Sequence, residues 1–330
     1  MHSSITIPVV VFFNMDYYIP AGVAMHSMLA HVARTKGDIP LFYKIHALVQ
    51  GLDKSHMDKL QENIASFTNF ASLEICNLDL NNETSIAQLY HEKLRPLISY
   101  LHPNRLAKWS ELILLRFILP SLFPQYDKII SCDVDVVFTG DISESYLGFN
   151  LNDSYYFAAA KSYYIGSLQG FIEGRRKAAL SYGIDVQQHF LSDNEHRMIY
   201  ENKFNVGFMV VNLQAWRRDD FETKALDFFK HKNHALLCPE QDALILLCHG
   251  HILELSRKYN TEHGLISPEI KDRKEIIMWH FIWKKPWKLE NFCTSKIWIN
   301  ALLHTPLRFE YFNNLIQCGK NLHLSLYVYD

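Results

Sequence analysis

The sequence lacks any long hydrophobic run. No uninterrupted apolar stretch approaches 18 residues, and the run at 7–13 is typical. Residues 1–8 also lack a basic stretch followed by an apolar one, which is the pattern of a secretory signal. These absences predict that the protein has neither a spanning helix nor a secretory signal, and that it is cytoplasmic.

Cysteine is scarce, and neither sign of charge is in large excess. Six cysteines are spread over 330 residues without a C-x-x-C pair, far below the density of a disulfide scaffold. We expect buried thiols in a reducing compartment. Lys and Arg total 33 against 35 Asp and Glu, so the net charge is -2 and no nucleic-acid partner is expected. The cysteines are Cys76, Cys132, Cys238, Cys248, Cys293 and Cys318.

The end of the chain differs in composition from the rest. Residues 271–330 hold nine Lys or Arg against five Asp or Glu, together with four of the six tryptophans. A basic and aromatic segment is typical of a face that contacts a membrane surface or an anionic ligand. A solvated surface over a Trp-rich core explains the same composition, and both interpretations stay open here.

The first third of the chain alternates between strand and helix patterns. Apolar runs at 8–13, 41–49 and 73–76 predict buried strands, and 20–33 and 53–67 have helical spacing with Asp53 as N-cap. Such alternation is typical of an α/β doubly wound fold with a parallel sheet. Further strands are predicted at 128–132, 136–138, 156–160, 206–213 and 276–281, and further helices at 110–123, 213–231 and 239–249.

Two aspartates follow the buried strand at 128–132. Asp133 and Asp135 lie two residues apart, so both carboxylates point to the same side if the backbone stays extended. Ligands of open α/β sheets bind outside the carboxyl ends of strands, and paired carboxylates hold divalent cations that grip phosphate oxygens. The pattern fits metal-assisted handling of a nucleotide sugar, phosphoryl transfer through an aspartyl nucleophile, or an ordinary acidic loop.

Several other blocks carry polar side chains in a definite order. They are Phe13-Asn14-Met15-Asp16-Tyr17, the helix with Arg116, Asn205-Val206-Gly207 through Trp216-Arg217, Glu240-Gln241-Asp242, and His280 followed by Lys285-Pro286-Trp287. The glycine at 207 indicates a site where the backbone approaches something closely. Together with Asp133-Val134-Asp135 these blocks resemble glycosyltransferase family 8 over residues 8 to 287. The resemblance is greatest to bacterial lipopolysaccharide glucosyl- and galactosyltransferases.

The resemblance implies a GT-A fold, with a Rossmann-like mixed sheet between helices, over residues 1–290 and a helical, basic and aromatic tail over 291–330. It implies Mn²⁺, or Mg²⁺, bound by Asp133, Asp135 and His280. UDP-glucose or UDP-galactose is the implied donor, and a saccharide or glycolipid is the implied acceptor. The sugar, the linkage and the oligomeric state stay open.

The resemblance also assigns roles to single residues. It implies that Lys285 contacts the diphosphate and that Arg116 faces the donor. Uracil and ribose are implied to lie against Asn14, Asp16 and Tyr17, with Asp133 also touching the ribose. The residues implied to surround the transferred sugar are Asn205, Glu240, Gln241 and Asp242. Gln241 is implied to lie nearest the anomeric carbon of a reaction that retains configuration.

Two positions depart from the family pattern. No glycine lies between His280 and Lys285, so Lys284 is a second candidate for the diphosphate contact. Lys161 stands where relatives tend to carry an acid, which leaves the donor sugar open. The alternative functions are a metal-dependent phosphohydrolase and a non-catalytic nucleotide-sugar-binding protein. The tail is expected to give peripheral contact with the inner face of the membrane.

Overall fold

The computed structural model describes residues 4–79, 84–99, 110–288, 291 and 295–317. The strands in these ranges are β1 (Ile5–Asn14), β2 (Thr35–Lys36), β3 (Ile39–Gln50), β4 (Ala71–Asn77), β5 (Lys128–Cys132), β6 (Val136–Phe138), β7 (Phe157–Lys161), β8 (Phe204–Asn212), β9 (Ile252–Leu255), β10 (Thr261–Glu262) and β11 (Met278–His280).

A large mixed sheet forms the centre of the fold. Its strands lie in the spatial order β4-β3-β1-β5-β8-β7-β9, and the short β2 also pairs with β3. Neighbouring strands are parallel with two exceptions: β8 runs antiparallel to both β5 and β7, and the short β2 runs antiparallel to β3. A smaller sheet has the order β10-β11-β6. The predicted parallel half, formed by β1, β3 and β4, is confirmed.

Helices cover both faces of the large sheet. The α-helices are α1 (Tyr18–His31), α2 (Lys54–Asn63), α3 (Ser85–Leu89), α4 (Arg95–Ile98), α5 (Leu119–Leu122), α6 (Ser143–Leu147), α7 (Leu168–Ser181), α8 (Asp193–Glu201), α9 (Leu213–Arg218), α10 (Phe221–Lys232), α11 (Pro239–Leu247), α12 (Lys296–Leu303) and α13 (Arg308–Gln317). Short 3₁₀ turns lie at Met15–Tyr17, Ala65–Phe67, Glu111–Ile118, Asn233–Ala235, Arg257–Tyr259 and Arg273–Glu275, and a π turn at Tyr90–Leu94.

Two predicted helices are interrupted. The segment 110–123 forms a 3₁₀ helix over Glu111–Ile118 and then α5, where Pro120 lies in the first turn. Pro120 has no N–H to donate to the carbonyl of Arg116, four residues earlier, and Ile118 leaves helical geometry with φ -109° and ψ 16°, so the α-helix is not continuous. The segment 213–231 divides into α9 and α10 because Asp220 adopts a left-handed φ of 50°. Aspartate tolerates that conformation better than most residues.

The core lies on both faces of the sheet. One cluster packs α1 and α2 against β1 and β3, and a second packs the 3₁₀ helix Glu111–Ile118, α10 and α11 against β5 and β8. Cys76, Cys132 and Cys248 are buried and Cys238 is half-buried, as expected for thiols. Cys293 and Cys318 lie outside the described residues.

Helices α12 and α13 pack on the main body. Trp298 and Leu302 of α12 are fully buried, in one apolar cluster with Val23 of α1 and Val137 of β6. The predicted division at residue 290 stays a prediction, and residues 318–330 of the predicted tail lie outside the described residues. Among the described helices, none is both long and apolar enough to cross a bilayer.

Candidate active site

The loop that carries Asp133 and Asp135 is held between the two sheets. The backbone N–H of Asp133 donates to Gly207 O of β8 at 2.8 Å, and Phe281 N–H donates to Asp135 O at 2.9 Å. Directly after the loop, β6 pairs with β11 so that Val136 lies opposite His280. The backbone therefore brings His280 to the end of the β5 strand.

Asp133, Asp135 and His280 form a compact cluster. One ligand atom from each residue lies within 4.8 Å of the others. His280 Nε2 is 3.1 Å from Asp135 Oδ1 and 3.6 Å from Asp133 Oδ2, and the His280 side chain is only 4% exposed. Two carboxylates and an imidazole are donors that a divalent cation such as Mn²⁺ accepts. The residues present thus fit the implied metal.

Lys285 places a positive charge in this cluster. Its ammonium donates to Asp135 Oδ2 and, at 2.6 Å, to Phe281 O. Burial opposes ionisation of Asp135, but His280 and Lys285 outweigh it and hold the pKa of that carboxyl below its usual range. Lys284 is exposed, and within the described chain it has no ion-pair partner. The geometry therefore favours Lys285 over Lys284 as the diphosphate contact.

Arg116 links the cluster of Asp133, Asp135 and His280 to helix α11. Its guanidinium donates from Nε to Ser131 Oγ at 2.9 Å, from Nη1 to Glu240 Oε1 at 2.5 Å, and from Nη2 to Asp133 Oδ1. Arg116 is 2% exposed and Glu240 is 5% exposed. Burial raises the pKa of Glu240 to about 7; Arg116 opposes the shift, and Asp133 adds to it.

Helix α11 begins with the three polar residues singled out in the sequence. Pro239 occupies the first turn, and Glu240 and Asp242 follow in it. Asp242 is fully buried and accepts from Arg175 at 2.5 and 3.2 Å and from the amides of Leu237 and Cys238. Gln241 is half-buried, and its amide has no hydrogen-bond partner in the described part of the chain. Asp242 is thus committed to the protein, whereas Gln241 is available to a ligand.

Asn14 is the last residue of β1, and Asp16 and Tyr17 lie in the 3₁₀ turn that follows it. Asn14 Oδ1 is buried without a hydrogen-bond partner, which is costly unless a ligand supplies a donor. The Tyr17 ring packs edge-on to Trp287 at 5.7 Å. Burial, together with the charges of Asp135 and Asp133, raises the pKa of the Tyr17 hydroxyl, so the ring lies near the acidic pair. Asp16 is exposed, at the edge of a cavity of about 250 Å³.

Gly207 and Asn205 lie directly behind the His280 ring. A Cβ at position 207 would lie 2.4 Å from Cε1 of His280. The close approach predicted at this glycine is therefore an approach of the backbone to the imidazole. Asn205 Oδ1 accepts from Gly207 N–H at 2.8 Å and from Asn260 Nδ2 at 2.8 Å. Asn260 also contacts His280 Nδ1 at 2.9 Å. Sequence reasoning assigned no role to Asn260, Arg175 and Ser131, because the site residues that they contact lie at least 15 residues away along the chain.

The protein-family model described as glycosyl transferase family 8 matches residues 8–290. The chain belongs to glycosyl transferase family 8. A lipopolysaccharide 1,2-glucosyltransferase of Escherichia coli K12 is 29% identical over 166 residues, which cover 50% of this chain and 42% of that protein. The match therefore spans less than half the length of that relative.

Solved glycosyltransferase structures share the fold. The bifunctional glycosyltransferase WbbM matches with a TM-score of 0.65 and 17% identity, over 93% of this chain and 51% of that one. The galactosyltransferase LgtC, solved with donor and acceptor sugar analogues, matches with a TM-score of 0.60 and 16% identity, over 91% of this chain and 96% of that one. The chain thus has the GT-A fold predicted from its resemblance.

The two positions that depart from the family 8 pattern make specific contacts in the structure. Lys161, at the end of β7, forms an ion pair with Glu254 of β9 at 2.9 Å. The segment between His280 and Lys285 contains no glycine, and the Lys285 ammonium bonds back to Phe281 O at 2.6 Å. In this part of the site the backbone instead comes close to the His280 ring at Gly207, on the other side of that ring.

Proposed function

We propose that this chain is a retaining glycosyltransferase that moves a hexose, glucose or galactose, from a UDP-sugar to a saccharide acceptor. The acceptor class is a lipopolysaccharide or another cell-surface glycan, as the name of the Escherichia coli relative suggests. Family membership supports glycosyl transfer. The observation that carries the proposal is the cluster of Asp133, Asp135 and His280 at the carboxyl end of β5, beside Lys285.

The donor site follows from the residues around that cluster. Asp133, Asp135 and His280 would hold Mn²⁺, or Mg²⁺, which when bound neutralises charge on the departing diphosphate. Lys285 is placed to exchange its bond to Asp135 for one to a phosphate oxygen. Asn14 Oδ1 offers an acceptor to the uracil or ribose, and Tyr17 offers an aromatic edge.

The transferred sugar is proposed to lie between Asn205, Glu240 and Gln241. The bond from the anomeric carbon to the phosphate oxygen breaks, and its electron pair leaves on UDP. The acceptor hydroxyl oxygen bonds to the same face, and its proton passes to the departing phosphate oxygen. An amide is a poor nucleophile, so Gln241 stabilises the oxocarbenium-like state rather than attacking. Arg116 holds Glu240 beside Asp133.

Asp242 has a different role from Glu240 and Gln241. Because its carboxylate is fully buried and bonded to Arg175 and two amides, we infer that it positions the start of α11. It thereby sets the orientation of Glu240 and Gln241 without touching the sugar. This replaces the direct sugar contact that the family resemblance implies.

The test is UDP release measured with Mn²⁺ and each UDP-sugar, with and without candidate saccharide acceptors. The matched variants are Asp135→Asn, which removes a ligand charge, and Asp79→Asn, which changes a half-buried aspartate that bonds to the Gly51 amide. We expect Asp135→Asn to lose at least about 10–100-fold in activity and Asp79→Asn to match the wild type. Hydrolysis of simple phosphate esters with Mg²⁺ would favour the phosphohydrolase instead, and UDP binding without sugar consumption a binding protein.

We also propose that the protein acts in the cytoplasm and contacts the inner face of the membrane through α12 and α13. Leu303, Phe309 and Ile316 expose their apolar side chains on these helices. Lys296 and Arg308 lie on the same helices, and each cation near an anionic surface contributes about 1 kcal/mol. We expect salt-reversible sedimentation with anionic vesicles; a protein that ignores vesicles at low salt contradicts the proposal.

A further inference from the structure

A chain of hydrogen bonds leads from the backbone of β8 to the imidazole of His280. Gly207 N–H donates to Asn205 Oδ1 at 2.8 Å. Asn260 Nδ2 donates to the same Oδ1 at 2.8 Å and to Asn205 O at 3.3 Å. The Asn260 carbonyl oxygen, Oδ1, lies 2.9 Å from His280 Nδ1. Asn260 is buried, with an exposure of 7%.

The chemistry of the donors fixes the direction of every bond in this chain. A backbone N–H only donates, so the Asn205 atom beside Gly207 N is the carbonyl oxygen. An oxygen there requires Asn260 to present its amino group, which turns the Asn260 carbonyl oxygen toward His280. That oxygen only accepts, so the proton of the neutral imidazole is on Nδ1 and the lone pair is on Nε2.

We infer that Asn260 is a positioning residue that holds His280 in the tautomer required for metal binding. This inference rests on the proposed function, since it takes Asp133, Asp135 and His280 as a cation site. His280 Nε2 faces Asp135 Oδ1 at 3.1 Å and Asp133 Oδ2 at 3.6 Å. In the neutral imidazole, the Nε2 lone pair thus faces the position that a cation between these oxygens would occupy. The relay therefore favours the metal-bound state of the site.

The same residue connects the metal ligand to the predicted sugar contact. Both bonds to Asn205 Oδ1 come from within the protein, from Gly207 and Asn260. The amino group of Asn205 is thus the part of that side chain that can donate a hydrogen bond to an oxygen of the UDP-sugar. Asn260 therefore fixes two orientations at once. It directs the amino group of Asn205 toward the sugar, and it directs Nε2 of His280 toward the metal.

The experiment measures Mn²⁺ affinity by electron paramagnetic resonance on the full-length protein without donor or acceptor. Asn260→Asp keeps an oxygen facing His280 Nδ1 but loses the amino group that donates to Asn205, whereas Asn260→Leu loses both. Asn63→Leu is the matched control, because Asn63 is also buried and bonds only to Gly22 O among the described residues. We expect about 10–100-fold weaker binding for Asn260→Leu, and affinity at or above wild type for Asn260→Asp and Asn63→Leu.

Wild-type affinity in a folded Asn260→Leu would overturn the inference and leave the metal site standing. A wild-type protein that binds neither Mn²⁺ nor Mg²⁺ would overturn the metal site and the inference together. If Asn260→Leu fails to fold, the ¹⁵N spectrum of His280 in the Cd²⁺-bound wild type still decides. It should show the proton on Nδ1 at about pH 8, and a proton on Nε2 would refute the relay.

Discussion

The substitution Arg116→Met removes a guanidinium that is 2% exposed and bonded to three side chains. Two of those partners differ in their access to water. The Asp133 side chain is 32% exposed, so water can replace the lost bond. Glu240 is 5% exposed and cannot be solvated in the same way. The main effect of the substitution is therefore on Glu240.

The pH dependence follows from the pKa of Glu240. Burial raises it from 4.5 to about 7, so the wild-type protein loses stability as the pH rises between these values. Because Arg116 lowers that pKa, its removal raises the pKa further and extends the loss above pH 7. The added loss is about 1.4 kcal/mol per pH unit, up to the roughly 3–5 kcal/mol typical of a broken buried ion pair. Near pH 6 Glu240 is mostly protonated, so the substitution loses the three hydrogen bonds to Ser131, Glu240 and Asp133 but leaves no buried charge at 240, which costs roughly 1 kcal/mol per bond.

The assay is urea unfolding in EDTA at about pH 6 and about pH 9, since Glu240 changes protonation between them. We expect the free-energy difference between wild type and Arg116→Met to grow by at least about 1.4 kcal/mol over this range. The double variant Arg116→Met with Glu240→Gln carries no ionisable group at 240, so its difference from wild type should lack that growth. An equal loss at both pH values in the single variant would refute the reasoning.

Three further predictions concern other contacts. Gly207→Ala should weaken Mn²⁺ binding at least about 10-fold, because its Cβ would lie 2.4 Å from Cε1 of His280; unchanged affinity in a binding titration would contradict this. Arg175→Leu should lower the free energy of unfolding by about 3–5 kcal/mol, because Asp242 stays buried without its guanidinium; a loss under about 1 kcal/mol in urea unfolding would argue against that. Truncation after Asn291 should lower the Tm by about 10 °C or make the protein insoluble, because it removes Trp298 and Leu302 from a shared apolar cluster. If the truncated protein melts at the same temperature as the wild type, the tail does not stabilise the main body.

Local patterns were enough to predict the parallel half of the sheet. Buried strands and amphipathic helices leave their periodicity in neighbouring residues, and Asp53 does cap α2 by accepting from His56 N–H. The strand end before Asp133 and Asp135 was also predictable, because it depends only on residues that adjoin it. The order of polar blocks was sufficient to recognise the family, which the match over residues 8–290 confirms.

Contacts between distant residues were decided by the tertiary structure alone. Arg116 and Glu240 are 124 residues apart, and Asp135 and His280 are 145 apart. No local pattern specifies that β8 runs antiparallel between β5 and β7, yet this arrangement sets Gly207 and Asn205 behind the imidazole. Asn260 directly follows the 3₁₀ turn Arg257–Tyr259 and directly precedes β10. Its relation to His280 exists only because the sheets converge there, so the sequence determined which groups are present and the fold determined which of them meet.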